Sequence, residues 1–225
     1  MENTMEMSKT KAYRIPVIVA LVIGVVLFLP AGSLKYWEGW IYWFETFAMM
    51  MFFADYFLKR NPALLARRSQ FREKEPQKGI VRVISFLSVL SFLIPSLDYR
   101  FHWSDVPIWL IILSNAVVIL GFVFIFFVFK ENSYASTIIQ VEEKQQVIST
   151  GPYAMVRHPM YTATLLTLLF TPLALGSYWA LLGFLLFIPG TVIRLIGEEK
   201  VLLRDLQGYQ DYCLKTRYRL MPLIW

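Results

Sequence analysis

The sequence predicts an all-α fold, a polytopic membrane helical bundle of about six transmembrane helices. Three observations predict it. Hydrophobic residues make up 57% of the 225 and charged residues only 17%, with a mean hydropathy of +0.52; soluble domains average about 25% charged. Several apolar runs approach the roughly 17 to 25 residues that a bilayer crossing needs. Those runs are continuous rather than alternating, which excludes a transmembrane barrel, the other spanning architecture.

The elements follow in order. The N-terminal stretch "MENTMEMSKTKAYR" mixes acids and bases, and no small-residue cleavage site follows the first apolar run, from about Ile15 to Leu29. That run reads as a retained span rather than a removed signal peptide. "SLKYWEGWIYW" is an aromatic turn suited to the membrane–water boundary. A second span covers about Ile41 to Leu58 and holds Glu45 and Asp55. Eight Lys/Arg between Lys59 and Arg82 mark the next loop as cytoplasmic. Third and fourth spans cover about Ile80–Ile94 and Ile108–Phe129, joined by the weakly charged turn "PSLDYRFHWSDVP". From Lys130 to His158 the chain is polar, without a spanning pattern. A short fifth run, Tyr161–Leu175, turns at "GSY" into a sixth, Trp179–Ile196. Two regions result: residues 1–130 with four spans, and 131–225 with a two-helix hairpin and an amphipathic, basic tail. Six crossings put both termini in the cytoplasm.

The net charge of +6 gathers in a few loops. It is the positive-inside bias and calls for no nucleic acid. Cys213 is the single cysteine, so it forms no internal disulfide, and no zinc spacing surrounds it. No metal is implied.

Within the polar region, "GPYAMVRHPMY" (Gly151–Tyr161) carries the densest chemistry. Thr150 or Ser149 could cap a helix there, and Pro152 suits its first turn. The helix must be short. Pro159 lacks an amide hydrogen and disfavours helical backbone at His158, so the chain bends at Arg157-His158. Pro159 then opens the next helix, whose first amides, at Met160 and Tyr161, have no intrahelical acceptor. Such a terminus suits a carboxylate or phosphate. A second polar cluster, "RLIGEEKVLL", puts Arg194 and Glu198 on one helix face, with Glu199 roughly 100° away. A tight hairpin between the fifth and sixth runs brings the two clusters to the same end.

These stretches, with "GYQDYCLKTRYRLMPLIW", resemble the isoprenylcysteine carboxyl methyltransferase family from about Gln140 to Trp225; phospholipid N-methyltransferases are more distant relatives. The resemblance implies a cytoplasmic pocket for S-adenosylmethionine in the C-terminal third. It implies that Gln140, Gln145, Gln146, Val147 and Ile148 line the adenosine part and that Tyr153 borders the cofactor. It implies that His158, Pro159, Met160 and Tyr161 hold the methionine end, that Glu198 binds the ammonium with Glu199 in support, and that Arg194 is the catalytic residue holding the acceptor's carboxylate. The acceptor it implies is an isoprenylcysteine-like lipophile, in the inner membrane of a prokaryote or the endoplasmic reticulum of a eukaryote. A lipid amine and a small thiol are alternative acceptors, and a membrane reductase is an alternative enzyme. A small transporter would need paired intramembrane polar residues or inverted repeats, and neither is visible. One further feature stays open: the C-terminal tyrosines Tyr209, Tyr212 and Tyr218, with Arg217 and Arg219, either cap the pocket or lie on the membrane.

Overall fold

A computed structural model describes residues 7–69, 79, 90–135, 141–142 and 145–225. Helix α1 (Lys9–Ala31) starts on Ser8, whose hydroxyl accepts from the Lys11 amide at 3.3 Å. It stops at Gly32, which takes a left-handed φ of 64° and donates its amide to Phe28 and Leu29, a glycine helix stop. Pro30 leaves the Val26 carbonyl without its helical donor. Ser96 fills that gap, its hydroxyl donating to Val26 O at 3.3 Å. Helix α2 (Trp37–Arg60) lies against α1, with the Trp43 indole donating to Ala20 O at 2.7 Å. Pro62 ends α2 and opens α3 (Pro62–Arg68), which Asn61 caps by accepting from Leu64 N at 3.1 Å.

Residues 90–101 form helix α4, and α5 covers Ile108–Glu131. Helix α6 (Pro159–Ala174) packs along α5 more closely than any side chain at Gly121 would allow: a Cβ there would lie 2.1 Å from Thr167 Oγ1. Small residues at such contacts are the usual device where lipid removes the hydrophobic drive between helices. The sixth run is broken into α7 (Trp179–Leu185) and α8 (Phe187–Asp205). Pro189 explains the break, since it has no amide for Leu185 O and its ring crowds that carbonyl. Helix α9 (Tyr209–Lys215) follows Gly208, at φ 84°.

Among the described residues there is no strand. Among the described residues three helical stretches are long and apolar enough to cross a membrane: Lys9–Ala31, Ile108–Glu131, and Trp179–Asp205 taken through its break. Helix α2 is as long but carries Glu38, Glu45, Asp55, Lys59 and Arg60. Helix α6 is apolar but shorter, and the third expected span lies mainly outside the described residues. Large apolar side chains point outward, among them Leu21, Leu29, Ile112, Leu120 and Leu182, as a lipid-facing surface requires.

The polar groups gather at two ends. At one, the Tyr36 hydroxyl donates to Leu175 O at 2.7 Å, and buried Asp98 accepts from the Ser104 amide at 2.7 Å, the Ser104 hydroxyl at 2.6 Å and the Ser177 hydroxyl. At the other end meet the start of α1, the ends of α2, α5 and α8, α3, the start of α6, and α9. Tyr13 on α1 donates to Asp55 on α2 at 2.9 Å, and Lys59 pairs with the same carboxylate at 2.8 Å. Asp55 is therefore an edge residue, whereas Glu45 is buried within the bundle.

Candidate functional site

The bend expected at Arg157-His158 is present. A short 3-10 turn covers Gly151–Ala154 with Pro152 in its first turn, and α6 begins at Pro159. Neither expected cap forms: Thr150 sits at the cap position without capping, and its hydroxyl donates instead to Glu131 at the end of α5. Gly151 takes φ 56°, and a Cβ on it would lie 3.1 Å from the Glu131 carboxyl carbon. The turn thus needs glycine for both conformation and space.

The bend is held by the C-terminal tail. The amides of Arg157 and His158 donate to the carbonyls of Tyr218 and Arg219 at 2.9 and 3.0 Å. The Thr162 hydroxyl donates to Leu220 O at 2.7 Å. Side chains close the same joint around Glu199, which is 5% exposed. Arg219 Nε donates to Glu199 Oε2 at 2.7 Å, Arg157 Nε lies 2.9 Å from Oε1, and His158 Nε2 lies 3.7 Å from Oε1. Those last two contacts are not aligned hydrogen bonds: Arg157 Nε, His158 Nε2 and Glu199 Oε1 are buried polar atoms without one.

Glu198, one position on, faces elsewhere. It accepts from the Tyr161 hydroxyl at 2.7 Å. Arg194 lies close enough to act on the same tyrosine, as expected for a residue one helical turn before Glu198. The neighbouring glutamates therefore serve two adjoining groups, one around His158 and one around Tyr161. Arg68 of α3 approaches the second group, its Nη1 lying 3.5 Å from Met160 Sδ and its guanidinium 4.8 Å over the Phe129 ring.

A third group lies beside the turn. The Tyr153 hydroxyl accepts from Asn132 Nδ2 at 2.8 Å, and its carbonyl accepts from the Tyr212 hydroxyl at 2.7 Å. Burial raises the Tyr153 phenol above its ordinary pKa and pushes the Tyr212 phenol up to about 12, so both are neutral hydrogen-bonding groups at physiological pH. Leu206, Tyr209 and Tyr212 form a buried cluster against Val147 and Tyr153. Two of the C-terminal tyrosines are thus packed inward.

Of the residues singled out in the sequence, Tyr153, His158, Pro159, Met160, Tyr161, Arg194, Glu198 and Glu199 come together at one end of the bundle. Val147 is half-buried beside Tyr153 and α9, and Ile148 is half-buried next to it in the chain. Gln146 is exposed, and Gln145 folds back on its own loop, its Oε1 accepting from the Glu142 amide at 2.9 Å. Gln140 lies outside the described residues. Arg219 stood in a tail that could either cap the pocket or lie on the membrane, and its bond to Glu199 turns it inward. Arg68 was not among the expected site residues, because it stands in a basic run whose charge the positive-inside bias already explains.

The phospholipid methyltransferase family model matches residues 109–207. The match runs from α5 to just past α8, so it takes in both polar clusters and leaves α3 and α9 outside. Among curated proteins nothing matches. The similarity supports a membrane methyltransferase.

Proposed function

We propose that the protein transfers a methyl group from S-adenosylmethionine to a lipophilic acceptor, most simply the carboxylate of an isoprenylcysteine-like molecule, at the cytoplasmic end of the bundle. The observation that carries this reading is the convergence of the His158 corner and the Glu198-Glu199 pair, with His158 3.7 Å from Glu199 and Tyr161 bonded to Glu198 at 2.7 Å, inside the segment similar to phospholipid methyltransferases.

The residues present fit the cofactor. A carboxylate at Glu198 suits its ammonium, His158 and the start of α6 suit its carboxylate, and Tyr153, Val147 and Ile148 suit its adenosine. The orphaned polar atoms of His158 and Glu199 are already desolvated and lack aligned partners, a state that a polar ligand would relieve. When bound, S-adenosylmethionine would supply a sulfonium-activated methyl group.

The protein's own work is then positional. Arg194 orients the acceptor carboxylate with its planar pair of donors, and Tyr161, bonded to Glu198 and beside Arg194, fixes the relation between acceptor and cofactor subsites. A carboxylate is already nucleophilic at neutral pH, so no side chain has to remove a proton. Closure by the tail and α9 excludes water. A lipid amine is the second reading, favoured by the phospholipid methyltransferase match.

Calorimetric titration of the detergent-purified protein with S-adenosylhomocysteine and with NADPH tests the class of activity. The first should bind and the second should not. NADPH binding alone points to a reductase, and binding of neither ends the enzymatic reading. Labelled methyl donor incubated with acidic and amine lipids then separates the two acceptors.

A further inference from the structure

Arg68 stands apart from the other cations at this end of the bundle. Its neighbour Arg67 donates to Glu142 at 2.6 Å and to Ser133 O at 3.1 Å. Arg157 and Arg219 share Glu199, and Lys59 has Asp55. The contacts of Arg68 are soft ones, a thioether and an aromatic face. Among the described residues no carboxylate comes within ion-pair distance of it. A guanidinium keeps its charge under nearly all conditions, and burial makes that charge costly here, holding its pKa below the ordinary arginine range. A thioether is a weak acceptor for one of five N–H donors. Around Arg68 stand Tyr161, Arg194, Tyr153 and Glu198, all close enough to act on its charge.

We propose that Arg68 binds the anionic oxo-acid group, carboxylate or phosphate, of the lipophilic acceptor, working with Arg194. The proposal rests on the methyltransferase reading for the word acceptor. All the residues assigned to the cofactor fall within the matched segment, 109–207, whereas α3 lies outside it. A cation delivered from outside the segment common to the family is placed to recognise the partner that differs between members. Arginine rather than lysine suits this task, because its planar fork engages two oxygens at once.

The test compares wild type, Arg68→Met and Arg68→Lys in detergent, by native mass spectrometry and calorimetry. The probes are a prenylated cysteine acid against its methyl ester, phosphatidic acid against diacylglycerol, and S-adenosylhomocysteine. Wild type should prefer one acid over its neutral partner by roughly tenfold or more, the scale of a charged hydrogen bond. Arg68→Met should lose that preference, Arg68→Lys should keep part of it, and S-adenosylhomocysteine binding should be unchanged in both. Whether the carboxylate or the phosphate pair shows the effect identifies the acid. The proposal is overturned if the preference survives in Arg68→Met, if acid and neutral probes weaken equally alongside a lower melting temperature, or if only S-adenosylhomocysteine binding falls. An Arg68-dependent preference in a protein that does not bind S-adenosylhomocysteine keeps the anion site and removes the methyltransferase reading.

Discussion

Two buried carboxylates, one at each end of the bundle, are held in opposite ways. Asp98 is 1% exposed and accepts from an amide and two hydroxyls, all neutral. Its partners Ser104 and Ser177 belong to the turns after α4 and α6, so it ties two connections together. Glu199 is almost as buried, yet it faces two guanidiniums and an imidazole, and buried atoms on both sides of that contact lack aligned bonds. A carboxylate saturated by neutral donors is a finished structural joint. One surrounded by cations and left incompletely bonded is a joint open to a further partner. Burial alone does not distinguish the two; the completeness of the hydrogen bonding does.

Substitutions can break or sharpen this contrast. The largest effect is expected for Glu199→Ala, which strands Arg157 and Arg219; loss of one partner of a buried pair costs about 3–5 kcal/mol, read as a large fall in melting temperature. A neutral thermal profile for this variant would show that the pair is not buried in solution. Next, Arg194→Ala should lower turnover about 100-fold while S-adenosylhomocysteine affinity stays within a few fold. Equal loss of both would remove its acceptor role. Asp98→Ala should cost about 2 kcal/mol of stability but leave the turnover of the folded fraction intact, and a selective loss of turnover would collapse the contrast between the two ends. The smallest effect belongs to Tyr212→Phe, which removes the bond to Tyr153 O, worth about 1 kcal/mol. Its readout is Cys213, a half-buried thiol whose pKa burial raises. With less thiolate near neutrality, alkylation of the wild type should be slow at pH 7 and speed up with rising pH. Loosening α9 should accelerate it at every pH, and an unchanged rate would mean that this bond does not secure the helix.

The parts of this site legible in the sequence are those written in proline, glycine and helical spacing. Pro159 announces the start of α6, Gly151-Pro152 announces a turn, and the four-residue interval from Arg194 to Glu198 announces a shared face. Other features leave no such mark. The tail is joined to the bend through main-chain carbonyls of Tyr218 and Arg219, and any residue type can supply a carbonyl. Thr150 looks like a cap, but the nearby Glu131 carboxylate is a stronger acceptor for its hydroxyl than the turn is a use for its oxygen. Pro189 breaks the sixth run, but the continuous apolar sequence around it conceals the interruption. Gln145 shows that a polar residue beside a site can spend its side chain on its own loop.

Helix α6 carries one more consequence. Its sixteen residues rise about 24 Å, whereas the hydrocarbon layer of a bilayer is roughly 30 Å thick. The two carboxylate joints flank this helix, so they are pinned closer together than a relaxed membrane would set them. If α6 crosses the bilayer, lipid thins locally or one joint sinks beneath the headgroup plane. On the proposed function, turnover in reconstituted vesicles should therefore track acyl-chain length: shorter chains leave the His158 corner nearer to water, and longer chains bury it.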